Sequence, residues 1–139
     1  MKDLYEIGIV FRGFVLIQVK FQELPAQSQT DKDLRGAFIS AINTFVENSL
    51  NTSLEYLESK QLLFIFKIEE IQSSDGPHKE PVIMYGLVKK KKKPDKQARK
   101  FLEEATPLIQ MFKAKYNQKD FTESSQFQPF AKDIKNYFD

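Results

Sequence analysis

The stretch "YEIGIVFRGFVLIQVKF", residues 5–21, most restricts the folds open to this chain. Its apolar residues alternate along two segments that meet at Arg12-Gly13, a connector of two-residue hairpin length. In the first segment Tyr5, Ile7, Ile9 and Phe11 share one side, and Glu6, Gly8 and Val10 the other. In the second, Val15, Ile17, Val19 and Phe21 oppose Phe14, Leu16, Gln18 and Lys20. The period predicts a β-hairpin over 4–22. Apolar residues fall on both faces, so the sheet it starts is expected to be covered on both sides.

After the polar loop "QELPAQSQ" the period changes. In "TDKDLRGAFISAINTFVENSL", Leu34, Ala37, Phe38, Ala41, Ile42, Phe45 and Val46 recur at helical spacing. Thr30 or Asp31 is placed to cap, and acids in the first turn suit the helix dipole. Residues 30–50 therefore read as a helix. "NTSLEYLESKQLLFIFKIEEIQ" reads as strand, interrupted by a bulge or tight turn at Ser59-Lys60-Gln61, with Phe64, Phe66 and Ile68 opposite Leu63, Ile65 and Lys67. "SSDGPHKEP" is a turn by composition, and "VIMYGLVKK" the last strand. Pro94 fits the first position of a helix, whose stripe is Ala98, Phe101, Leu102, Ala105, Leu108, Ile109, Phe112 and Tyr116, with a bend expected near 103–107 from Pro107. Phe127, Phe130, Ala131, Ile134, Tyr137 and Phe138 mark a short final helix starting near Pro129.

The expected order is β-β-α-β-(β)-β-α-α in one domain spanning 1–139. The fold class is α/β (α+β): an antiparallel sheet with one helix on one face and two on the other, a three-layer α/β/α sandwich.

Composition narrows the chemistry. The chain has 139 residues, no Cys and one His, His78, in a loop. Disulfides, thiolate catalysis and Cys-based zinc sites are excluded. A lone loop His reads as solvated rather than catalytic. Adjacent Glu69 and Glu70 on a strand point to opposite faces and do not chelate together. No "GxxxxGK" or "GxGxxG" loop is present. The expectation is no catalytic, metal or cofactor site: not an enzyme. The N-terminus lacks a signal-peptide layout, and no apolar run approaches membrane-spanning length. The expected location is cytoplasmic.

The net charge of +2 conceals an uneven distribution. Residues 1–88 carry 8 Lys/Arg against 12 Asp/Glu, while residues 89–100 carry 8 against 1. Lys89, Lys90, Lys91, Lys92, Lys93, Lys96, Arg99 and Lys100 make this one basic segment, and three readings stand. Its lysines are a solvated strand exit that also discourages edge aggregation. They contact an anionic membrane surface, reversibly, since no lipid-anchor motif accompanies them. Or they bind nucleic acid, which is disfavoured because no aromatic is interleaved for base stacking. A second candidate surface is a partner groove of Ile39, Val46 and Leu50, on the flank of the first helix, with Tyr56 and Leu57 on the interrupted strand. Burial under a loop or the last helix is the competing account of these residues. An exposed edge strand is a third route to a partner.

The element order, "IGIVFRGFVLIQVKF", "DKDLRGAFISAINTFVENSL", "LEYLESKQLLFIFKI" and the tail "FKAKYNQKDFTESSQFQPFAKDIKNYF" together resemble the longin-like (profilin-like) family. The similarity is to small archaeal longin- and roadblock-like proteins and, more loosely, to longin subunits of tethering complexes of the TRAPP type. It covers nearly the whole chain and consists of core-packing patterns, with no active-site signature. It implies a non-catalytic adaptor that binds a small GTPase or another longin- or roadblock-type subunit, as a homo- or heterodimer, in processes like vesicle trafficking. The absence of a heptad segment after the last helix departs from the SNARE pattern. The structural alternative is a subunit of a tethering or adaptor complex.

Overall fold

The computed structural model describes residues 3–24 and 56–139. The opening alternation forms a hairpin of β1 (Leu4–Phe11) and β2 (Phe14–Lys20). Arg12 and Gly13 both take positive φ, 53° and 79°, the handedness a two-residue hairpin turn needs to match strand twist. The break at Ser59-Lys60-Gln61 is a tight turn: the Ser59 amide donates to the Leu62 carbonyl at 2.9 Å. It folds β3 (Tyr56–Glu58) back on β4 (Leu62–Ile71). β5 (Glu80–Lys89) follows the 72–79 loop. The strands make one antiparallel sheet in the order β2-β1-β5-β4-β3. Two helices follow, α1 (Pro94–Tyr116) and, after a 3₁₀ turn at Ser124–Phe127, α2 (Gln128–Phe138). The described residues thus form a mixed fold, a five-stranded antiparallel sheet and two helices.

Both helices pack on one face. Ile7, Ile9, Ile17, Val19, Leu63 and Ile65 from the sheet join Phe101, Ile109, Phe112, Phe130 and Ile134 in the larger core. Phe112 is its aromatic hub, with ring centroids 4.8 Å from Tyr116, 5.5 Å from Phe130 and 5.9 Å from Phe127. α1 seats closely because Gly86 has no side chain: a Cβ there would lie 2.1 Å from Phe101 Cζ. Pro94 occupies the start of α1 as expected, and the helix continues past Pro107 to Tyr116. Pro107 and Glu103, whose carbonyl it leaves without its helical donor, are both exposed. The Thr106 hydroxyl donates to the Leu102 carbonyl at 2.6 Å in the same turn.

The opposite sheet face is also apolar and buried, through Val10, Leu62, Phe64, Phe66, Ile83, Tyr85 and Leu87. β4 alternates between the two cores as its sequence requires. Among the described residues no helix lies on this second face. The expected helix over 30–50, with Ile39, Val46 and Leu50, falls outside the described residues.

The facing of the hairpin differs from simple alternation in two places. Leu4 pairs with Val88 and Glu6 with Leu87, so Tyr5 is an extra residue in β1. It packs against the second core, while Leu4 joins the first. Ile9 pairs with Ile17 and Val10 with Val15, so Leu16 is an extra residue in β2. Leu16 therefore packs with Ile17 and Val19 on the larger core, and Val15 lies opposite Val10. A bulge of one residue inverts the facing beyond it.

Candidate functional site

The basic segment is mounted on the end of the sheet. β5 ends at Lys89, whose amide donates to the Asp3 carbonyl at 2.9 Å; the Lys90 amide donates to the Gln61 carbonyl at 2.8 Å. The Gln97 side chain, one turn into α1, brackets the connector from the other side. Its Nε2 donates to the Lys89 carbonyl at 2.6 Å and its Oε1 accepts the Lys91 amide at 3.1 Å. Five lysines in sequence thus sit on a connector held by the strands on both sides of β5 and by the helix that follows.

Their side chains separate into two groups. Lys90 pairs with Glu58 of β3 at 3.1 Å and Lys91 with Asp3 at 2.6 Å. Lys89, Lys92, Lys93, Lys96, Arg99 and Lys100 are exposed and form no ion pair among the described residues. The one acid within the segment, Asp95, accepts the Tyr56 hydroxyl and so turns toward β3. That hydrogen bond, with a smaller contribution from desolvation, pushes the Tyr56 phenol up to about 12.

Beside the segment lies an open cleft of about 720 Å³. Phe101 and Phe138 line it together with Lys91, Lys100, Asp3, Glu104 and Asp139. Tyr137 also lines it and donates its hydroxyl to the Glu104 carbonyl at 2.9 Å. Two lysines and three acidic residues line this cleft, so it has no single electrostatic preference. The uniform positive charge is on the neighbouring connector and first turns of α1.

The groove residues that can be placed do not share a surface. Tyr56 packs against the core under α1, whereas Leu57 packs against the second core. Adjacent strand residues face opposite sides, so the two do not line one groove. Glu69 and Glu70 diverge for the same reason. Glu69 meets Gln110 and Lys113 of α1, and Glu70 is exposed.

Two arrangements escaped the sequence reading. Glu6 is buried, and the Tyr85 hydroxyl donates to it at 2.6 Å. Tyr85 reaches it by lying over Gly8, where a Cβ would come within 2.3 Å of its ring. The only acid within an apolar alternating strand, two residues before a glycine, was the available signal. At the far end of the sheet Arg12 grips Glu80 with two bonds, Nε to Oε1 at 2.9 Å and Nη2 to Oε2 at 2.5 Å, and reaches Asp75 at 3.2 Å. Asp75 is held below the usual carboxylate range by the Ser73 hydroxyl and then by Arg12; Glu80 is lowered by Arg12. This network ties the hairpin turn to the 72–79 loop. His78 in that loop is exposed.

Of the two sheet edges among the described residues, β2 is the longer and the more apolar. It displays Phe14, 72% exposed, and Val15, 40% exposed. No helix of the described residues is long and apolar enough to cross a membrane. No protein-family model matches the chain, and no curated protein matches it.

Proposed function

We propose that the chain is a longin-like, non-catalytic interaction module that scaffolds or regulates a small GTPase or pairs with another longin- or roadblock-type subunit. The observation that carries this reading is a five-stranded antiparallel sheet buried on both faces, with α1 and α2 on only one of them. That asymmetry favours a three-layer sandwich in which the helix expected over 30–50 is the remaining layer. The edge of β2, with Phe14 and Val15 exposed on opposite faces of the sheet, is the surface best suited to a partner, because an edge strand offers backbone hydrogen bonds with an apolar anchor on either side. The same edge suits a structural subunit of a tethering or adaptor complex. A cytoplasmic setting goes with either role.

Size-exclusion chromatography with light scattering, on the chain alone and mixed with small GTPases, tests the proposal. The expected result is a dimer or a co-eluting complex that Phe14→Ser dissociates. A monomer that ignores every GTPase in both nucleotide states overturns it.

The exposed cations favour a second reading, a peripheral binder of anionic membrane surfaces. Clusters of 4–8 basic residues gain roughly 1 kcal/mol per charge near an anionic leaflet, less wherever a charge is held back from the surface.

A further inference from the structure

We infer that Lys92, Lys93, Lys96 and Arg99 form the contact face for an anionic phospholipid surface, and that Lys90 and Lys91 serve the fold instead. This rests on the peripheral-membrane reading above and divides the basic segment in a way its sequence does not. Lys90 is drawn toward Glu58, and its side chain is only 28% exposed. Lys91 is paired with Asp3 just before β1, with its side chain still 60% exposed. Both point their charge at a carboxylate of the sheet end, so neither adds much field at a contacting plane. Lys100 shares the cleft with Glu104 and Asp139, which offset it. Lys89, also exposed, is the last residue of β5 and stands on the strand side of the two pinned lysines; the other four cations meet no such opposition. Lys92 and Lys93 stand exposed at the entry to α1, and Lys96 and Arg99 are neighbours at i and i+3 on its first turns. Asp95, the one acid in their midst, is engaged with Tyr56 on the sheet side. The Asp3 and Gln61 carbonyls and the Gln97 side chain hold the backbone of 89–91, which limits the ordering left to be done on docking.

A lipid surface fits better than nucleic acid. Single-strand binders set aromatic platforms among their cations. The exposed large apolar side chains among the described residues are Phe14, Val15, Met111 and Tyr137, none of them within 89–100.

The test is a charge-matched pair of variants of the full chain. Lys92→Gln/Lys93→Gln and Lys90→Gln/Lys91→Gln each remove two cations. Partitioning onto vesicles of phosphatidylcholine, with and without phosphatidylserine, is measured by flotation at roughly physiological ionic strength. The first variant is expected to lose binding by up to about thirtyfold, about fivefold per lysine, and the second by less than about threefold. The second is also expected to unfold at a lower temperature. Where that double variant fails to fold, Lys91→Gln against Lys93→Gln makes the same comparison. Equal losses in the two variants overturn the division and leave net charge alone as the determinant. A wild-type chain that ignores phosphatidylserine vesicles overturns the membrane reading itself. Tighter binding to a single-stranded oligonucleotide than to the vesicles, lost in Lys92→Gln/Lys93→Gln, overturns the lipid assignment in favour of nucleic acid.

Discussion

Single residues set several of the tolerances of this fold. Gly86 is fully committed to the ring of Phe101, and Gly86→Ala drives a methyl group into it. Overpacking of this kind costs about 1–3 kcal/mol. Urea denaturation should show that loss, with the slope of the transition unchanged. Tyr56 makes a prediction in pH. Its phenol is raised to about 12 in the folded chain, chiefly by its bond to Asp95. A group raised above its unfolded value of about 10 contributes stability below that value and loses it as pH rises toward the folded value. Tyr56→Phe should therefore be less stable than wild type at neutral pH, with the difference shrinking above pH of about 10. Thermal melts across the alkaline range measure this, and a constant difference would refute it.

At the scale of elements, the connections carry the polar interactions and the strands carry the packing. The Arg12 network joins two turns that are far apart in sequence, across 63 positions to Asp75 and 68 to Glu80. Asp75 and Glu80 are both lowered in the folded state, so their contribution is present above the unfolded carboxylate range and is lost as pH falls through the folded values. Arg12→Met removes the part of that contribution that Arg12 supplies, leaving the Ser73 bond to Asp75, and keeps an unbranched apolar stem. The variant should differ from wild type at neutral pH and converge with it in acid. Denaturation at a series of acidic pH values reads the convergence directly. The basic connector follows the same logic, with two of its lysines pinned to acids at the sheet end and the others left outward.

For the whole molecule, the sheet's two ends differ in character. The hairpin turn, with Phe14 and Val15 beside it, is apolar outward and braced by Arg12. The opposite end, where β5 leaves the sheet, is densely basic. Phe14 is so exposed that Phe14→Ser should change stability by no more than about 0.5 kcal/mol. Any change of oligomeric state in that variant then reports on an interface and not on folding. A loss of stability well beyond that would mean that Phe14 packs within the fold, and would remove β2 as the partner edge.

The hairpin at Arg12-Gly13, the two faces of β4, the buried stripe of α1 and, apart from the half-exposed Tyr137, that of α2 were legible in sequence, because period 2 and period 3.6 are local properties of a chain. The bulges at Tyr5 and Leu16 were not, because an extra residue exists only relative to a partner strand. The separation of Tyr56 from Leu57 follows from the same period of 2, because both lie on β3 and face different cores. Eight cations in 89–100 could be counted from residue types alone. Tertiary structure decided which of them meet an acid, because Asp3, Glu58 and Lys90-Lys91 are distant in sequence. The pairing of β5 between β1 and β4, with β3 folded back on β4, brings them within a few ångströms.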